Sequence, residues 1–128
     1  MNNLIIDAAG EEIFLSLMIN KNIYTCAHKN SKSNFEKLIT LINNFLQKRN
    51  ILVDDINKIY VNRGPGSFAG IRNSLAIVKG FYLSKNIDYY CFSYKDFKKI
   101  RAVNHVDIVT LCDKFKIKKN LIKPLYLS

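Results

Sequence analysis

The chain is expected to adopt an α/β fold, with a mixed sheet flanked by helices. Three observations carry this expectation. Three strand-like apolar runs follow one another closely near the N-terminus, separated only by short polar turns. Two long stretches of helical periodicity follow, each more apolar than one buried face requires. Between them, a strand-like run passes directly through a Gly-Pro-Gly turn into the second helical stretch. At 128 residues the length suits one domain with a sizeable core.

The strands expected first are Leu4 to Asp7, Ile13 to Ile19 and Ile23 to Ala27. In the second, Ile13, Leu15, Leu17 and Ile19 share one face, with Phe14, Ser16 and Met18 on the other. Apolar residues on both faces predict a strand covered on both sides. Gly10-Glu11-Glu12 and Asn20-Lys21-Asn22 suit tight antiparallel turns. Ser33-x-x-Glu36 reads as a capping box that opens a helix running to about Lys48. Its apolar positions form two adjoining stripes, Phe35, Ile39, Ile42 and Leu46 beside Leu38, Leu41 and Phe45. Together they cover nearly half the circumference, which calls for a second packing partner. Ile59 to Val61 reads as a strand, and a helix over 68–84 follows the glycine-rich turn. In that helix Phe68, Ile71, Leu75, Val78 and Tyr82 form one stripe, and Ala69, Ala76, Gly80 and Leu83 another. Small residues at Ala76 and Gly80 would admit a second helix at close range, the glycine costing about 1 kcal/mol of propensity. Packing of the two helices on each other and on the sheet alone is the alternative. Ile87 to Phe92 then reads as a strand, Ser93 to Arg101 as a short helix, and Val106 to Cys112 as a strand before a lysine-rich tail.

The turn itself, Gly64-Pro65-Gly66-Ser67-Phe68-Ala69-Gly70-Ile71-Arg72, holds three of the five glycines and one of the four arginines. A glycine-rich turn feeding a helix offers backbone N–H groups and a positive dipole end to an anion. Its spacing matches neither the P-loop, which needs Lys-Ser/Thr after the last glycine, nor the dinucleotide G-x-G-x-x-G. Ser67 is expected to cap the following helix. Arg72 opposes the helix dipole by about 0.3–1 kcal/mol unless it meets an anion or carboxylate.

These nine residues closely resemble the GPGSFTGLR signature of the TsaB (YeaZ) family, with Ala69 in place of Thr and Ile71 in place of Leu. Leu4-Ile5-Ile6-Asp7 resembles the family's opening LAIDTS. Asn34 to Ile39 stands where the family has HSExLLP, and Asp54 to Ile59 resembles LKDIDAIAV. Lys79-Gly80 resembles AKG, and Pro124 to Leu127 resembles the closing PxYLR. The resemblance reaches both ends of the chain, with a piece of the family's length missing before the closing motif. It implies the ribonuclease-H-like half-domain that, duplicated, gives the actin-like ATPase (ASKHA) fold. The expected division is residues 1–92 as the N-terminal lobe and 93–128 as a reduced remnant of the second lobe with a basic tail. It further implies a non-catalytic scaffold subunit that binds the catalytic relative TsaD, which transfers threonylcarbamoyl to a tRNA adenosine. Leu38, Leu41, Phe45, Ala76 and Gly80 are expected to face that partner. Gly64, Pro65, Gly66, Ser67, Phe68, Gly70 and Arg72 would contact an anion or the partner. Leu38→Asp is expected to abolish partner binding and leave a folded protein. No cofactor is expected to belong to the chain itself, with ATP or ADP at the partner contact.

The formal charge of +10 admits nucleic acid as a partner, and Lys114, Lys116, Lys118, Lys119 and Lys123 form the dense basic cluster. A solvated tail is the competing reading, since sixteen lysines among many Ile and Asn residues fit AT-rich coding. No run is long enough for a transmembrane helix, and no secretory leader is visible, so the cytoplasm is the expected location. Cys26, Cys91 and Cys112 lack C-x-x-C spacing and read as free, buried thiols. Asp7 ends the first strand, where related ATPases and nucleases keep a metal-binding carboxylate. The strand ending at Val61 is followed by Asn62-Arg63-Gly64 with no acid, which argues against a two-metal nuclease. Ala8 and Ala9 stand where phosphate-holding hydroxyls are expected, so Asp7 reads as a turn or cap residue. His28 and His105 lack the H-x-x-x-H spacing of the catalytic relative and read as structural. Tyr82, Tyr89, Tyr90 and Tyr94 read as packing residues before base-stacking ones. Two rival functions stay open: a homodimer built through the helices at 33–48 and 68–84, and a small RNA-binding protein using the lysine tail.

Overall fold

The computed structural model describes residues 1–98, 100 and 103–126. Five strands form one sheet: β1 (Asn2–Asp7), β2 (Glu12–Ile19), β3 (Asn22–Lys29), β4 (Lys58–Asn62) and β5 (Asp88–Phe92). Their order is β3-β2-β1-β4-β5, with β1, β4 and β5 parallel and β2 and β3 antiparallel. This is the mixed sheet of a ribonuclease-H-like half-domain. The short polar turns between the first three strands leave room only for antiparallel pairing, while β3 to β4 and β4 to β5 are joined by helical connections.

Alternation along the strands divides the core in two. On one face Leu4, Ile6, Leu15, Leu17, Ile59 and Val61 meet helices α1 (Lys32–Glu36), α2 (Leu38–Gln47) and α3 (Phe68–Lys85). On the other, Ile5, Tyr60 and Phe92 meet Phe97 and helix α4 (His105–Lys114). β2 is covered on both faces as its sequence predicts, with Met18 packed on the second cluster.

Four local expectations are corrected. The single helix from Ser33 is two helices broken at Lys37, whose φ and ψ of −111° and 25° interrupt the helical run. Its cap is Ser31, which accepts from the Asn34 N–H, so Ser33-x-x-Glu36 is not the capping box. Val106 to Cys112 is helix α4, not a strand. Ile108, Leu111 and Cys112 recur at helical spacing and are buried on the sheet's second face. That packing overrides the β-branched character of Val106, Ile108 and Val109. Residues 93–101 contain a 3-10 turn at Tyr94–Asp96, where Asp96 accepts from the Ser93 N–H; Lys99 and Arg101 of the expected helix lie outside the described residues. The segment after β5 therefore returns to the sheet as a covering layer.

The lysine-rich tail is no free appendage. Lys119 bridges Tyr90, the Asn120 N–H donates to the Tyr89 carbonyl at 2.7 Å, and the Asn120 side chain accepts from the Tyr89 N–H at 2.9 Å. Further on, the Leu125 N–H donates to the Arg63 carbonyl at 2.7 Å. The tail thus covers part of the β5 edge, which would otherwise present unpaired backbone groups. Leu127 of the closing motif lies outside the described residues.

Candidate functional site

The Gly64–Arg72 turn is packed against two other stretches of backbone. Gly64 has φ +107°, and a Cβ there would strike the Leu125 carbonyl. Cβ atoms on Gly66 and Gly70 would strike the carbonyls of Ala9 and Ala8. Ser67 caps α3 as expected, its Oγ accepting from the Gly70 N–H at 3.2 Å. Part of the turn's amide set is occupied. The Gly64 N–H donates to Asn62 Oδ1, the Ser67 N–H to the Ala9 carbonyl and the Ile71 N–H to the Ser67 carbonyl. Those bonds, and the alanines at Ala8 and Ala9 in place of hydroxyl residues, leave the turn short of the donors of a full phosphate cradle. The glycines of this turn permit close backbone approach. Pro65 is half-buried, and Phe68, 58% exposed, packs on Tyr126 with ring centroids 4.7 Å apart. Arg72 is exposed and forms no ion pair among the described residues.

The expected partner-facing set divides in two. Leu38 is fully buried and Phe45 is 7% exposed, both inside the first core cluster. Leu41 is half-buried against it. Leu38 and Phe45 therefore do not form an open docking face. The reason is phase: in α2 the inward stripe runs Leu38, Ile42, Phe45 and Leu46, and the break at Lys37 turns Ile39 outward. Ala76 and Gly80 are exposed, and a Cβ on Gly80 would meet nothing within 4 Å. With Ile39, Ile77, Phe81 and Ser84 they line a shallow, mostly apolar groove of about 380 Å3. Ala69 and Leu83, the latter 71% exposed, extend this apolar stripe along α3. Sequence reasoning does not assign Ile39, Ile77 or Leu83 to the site; for Leu83 the available signal is its place on the outer stripe.

At the C-terminal end of β1, Asp7 is the hub of a buried network and neither a turn nor a cap residue. Asn62 Nδ2 donates to its Oδ1 at 2.9 Å, and the Tyr94 hydroxyl donates to its Oδ2 at 2.7 Å. His105 Nε2 lies 3.2 Å from Oδ2, and its Nδ1 lies 2.7 Å from Ser16 Oγ, which lies 3.0 Å from Thr25 Oγ1. Burial pushes the Asp7 carboxyl up, but the hydrogen bonds from His105, Tyr94 and Asn62 outweigh it and hold it below 3.8. Burial, and then the Asp7 charge, push the Tyr94 hydroxyl up, keeping it a donor. An ionised Asp7 accepts only, so Nε2 carries a proton. In a neutral ring Nδ1 then accepts from Ser16, and Ser16 from Thr25. The row has the residue types of a hydrolytic triad, but Ser16 is fully buried in the central part of the sheet. Its hydroxyl has no path to a substrate carbonyl. The network instead fastens the first turn of α4 to the sheet.

The thiols are free, with Cys91 and Cys112 buried and pushed by that burial up to about 11 and about 12. Cys26 is only half-buried, against expectation, 3.6 Å from His28 Nε2. Among the described residues no helix is long and apolar enough to cross a membrane.

Comparison with known proteins agrees with this architecture. The model of the family described as "TsaD: tRNA N6-adenosine threonylcarbamoyltransferase" matches residues 27–116. A curated tRNA threonylcarbamoyladenosine biosynthesis protein TsaB from Buchnera aphidicola subsp. Baizongia pistaciae is 35% identical over 71 residues, covering 48% of this chain and 32% of that protein. Its counterpart from Buchnera aphidicola subsp. Schizaphis graminum is 29% identical over 90 residues, covering 70% of this chain and 43% of that protein. The match thus spans less than half the length of either relative. Among solved structures, YeaZ from Pseudomonas aeruginosa superposes with a TM-score of 0.66 at 18% identity, covering 72% of this chain and 43% of that one. An uncharacterized protein described as similar to that peptidase YeaZ gives the same values. Motif, sheet order and family match converge, and the chain belongs to the TsaD-type threonylcarbamoyltransferase family as a TsaB/YeaZ protein.

Proposed function

We propose that this chain acts in the synthesis of N6-threonylcarbamoyladenosine in tRNA as a scaffold subunit that performs no reaction itself. In this reading it binds a TsaD-like catalytic subunit through the exposed stripe of α3 and the flanking Ile39 of α2. The observation that carries it is the groove between these helices. Its floor holds Ala76 and Gly80, which leave room for the backbone of an incoming helix, and its rim holds apolar side chains already in water. Burying such a stripe is favourable by about 25 cal/mol per Å2 of apolar surface removed from water. The curated relatives' names supply the pathway. The buried Ser16 supports a non-catalytic role. ATP or ADP, in this reading, sits at the contact with the partner, because Ala8 and Ala9 supply no hydroxyls to hold phosphates within this chain alone.

The same stripe favours a second reading, in which two copies pair through α3. Both are tested together by light scattering of the chain alone and mixed with the TsaD-like protein of its own organism, followed by assay of tRNA modification. The scaffold reading expects a one-to-one complex that is lost with Ala76→Arg combined with Gly80→Arg while the fold is retained. A tight self-dimer indifferent to the TsaD-like protein would replace it with the second reading. Leu38→Asp is unsuitable for this test, because it places a charge in the core.

A further inference from the structure

A second groove opens at the opposite end of β4 from the Asp7 network. Tyr60 of β4 and Tyr90 of β5 are register partners on the face that α4 covers, and their rings stack with centroids 5.0 Å apart and planes 11° apart. Tyr60 is buried, at 4% exposed, and Tyr90 is left half-buried. Val109 and Cys112 form a wall, and a groove of about 550 Å3 stays open beside the tyrosines. Lys58 of β4 and Lys116 and Lys119 of the strapped tail line it, against one acid, Asp113. Lys58 Nζ lies 5.8 Å from the Tyr90 ring centroid. Lys119 lies 3.8 Å from Asp88, an exposed contact that restrains it little. Lys116 and Ile117 also line an adjoining groove of about 280 Å3 that carries Lys118, Lys123 and the Arg63–Asp96 ion pair. Four tail lysines therefore mark one continuous track leading away from the tyrosine pair.

We propose that this track binds a single-stranded nucleic acid, with a base against the accessible part of Tyr90, which Tyr60 backs from the core, and flanking phosphates at Lys58, Lys116 and Lys119. A base offers a π-face whatever its identity, and stacking on a sheet-borne aromatic is a common way to hold an unpaired strand. Ammonium groups at the rim neutralise phosphates as point charges and release counterions. A basic surface alone would bind any polyanion. Here the strap places the lysines beside an aromatic floor, and the two grooves share residues. The site is built by this chain alone, so it stands or falls independently of any partner subunit.

The test is fluorescence anisotropy of the full chain with fluorescein-labelled ten-nucleotide oligoadenylate, as RNA and as DNA, over a range of salt. Binding should weaken as salt rises. Lys116→Glu combined with Lys119→Glu should weaken it more than tenfold and lower the salt slope by about 1.4, at about 0.7 per lost phosphate contact on a single strand. Tyr90→Leu should weaken it by about 5- to 160-fold with the salt slope unchanged. Tighter binding of the RNA oligomer assigns a ribonucleotide site, and equal binding assigns one blind to the 2′-hydroxyl; either upholds the proposal. Wild-type affinity in the Tyr90→Leu protein, or in the double lysine variant, overturns it. Should Tyr90→Leu fail to fold, ultraviolet crosslinking of a 4-thiouridine oligomer to the wild-type chain decides. Adducts on the peptides holding Tyr90 or Lys116 to Lys119 uphold the site, and adducts elsewhere overturn it.

Discussion

α3 and α4 lie on opposite faces of one sheet and differ in how much apolar surface they carry beyond what the sheet covers. α4 directs Ile108, Leu111 and Cys112 inward and shows Asp107, Thr110, Asp113 and Lys114 to solvent, with only Val106 as an exposed apolar residue. α3 directs Ile71, Leu75, Val78 and Phe81 inward and still leaves Ala69, Ala76, Gly80 and Leu83 outside. A helix that merely covers a sheet needs one apolar face; one that is apolar elsewhere leaves a second face open. The two helices are also fixed differently. α4 is fastened by a polar clasp at His105, and α3 by close backbone packing at Gly64, Gly66 and Gly70.

The largest effect expected from this contrast concerns the inner stripe. Leu38→Ala should cost about 2–5 kcal/mol in a urea melt, because that side chain is wholly inside the core. A loss below about 1 kcal/mol would mean that α2 does not pack as described. Next comes the clasp. His105→Ala should cost about 1–3 kcal/mol by leaving Asp7 and Ser16 short of a buried partner, read as faster amide exchange in α4 than in α3. Equal acceleration of both helices would break the comparison.

The clasp also sets a pH dependence. The folded Asp7 carboxyl lies below 3.8, so the folded chain binds fewer protons than the unfolded one near that value. Its stabilisation is complete above the unfolded value and is lost as pH falls through the folded one. Thermal melts between pH 5 and pH 2 should show this decline. Asp7→Asn should flatten it, and an unchanged slope would remove Asp7 from the account.

Smaller effects fall on the outer stripe. Gly80→Ala should stabilise the isolated chain by up to about 1 kcal/mol, since the added methyl meets only solvent. The same change should weaken association if a helix backbone lies against Gly80. Opposite signs in melting and binding would place the contact there. Leu83→Ser should shift stability by no more than about 0.5 kcal/mol, checked by its urea midpoint.

Much of this architecture is legible from residues alone. The first three strands, the entry into α3 and the Ser67 cap follow from local pattern and turn chemistry. The excess apolarity of α3 is legible too, because a stripe at helical spacing is visible without knowing what covers it. The phase of α2 is not. It depends on a break at Lys37 that no proline or glycine announces. α4 reads as a strand in sequence because its β-branched residues are common to both states, and the open sheet face decides between them. The Asp7–His105 clasp joins residues at opposite ends of the chain through tertiary packing, and no spacing rule reaches that far. The tyrosine groove is hidden for the same reason, since Tyr60 and Tyr90 meet only through strand register.

The seating of Gly64 on the Leu125 carbonyl bears on the order of assembly. A ribosome releases the glycine-proline bend long before it makes the strap that closes over it. Until residue 125 emerges, the start of α3 rests on the loop after β1 and on Phe35 of α1, without the strap. The outward stripe therefore acquires its final setting late in synthesis, and a nascent chain lacking the strap would offer a partner a less firmly seated helix.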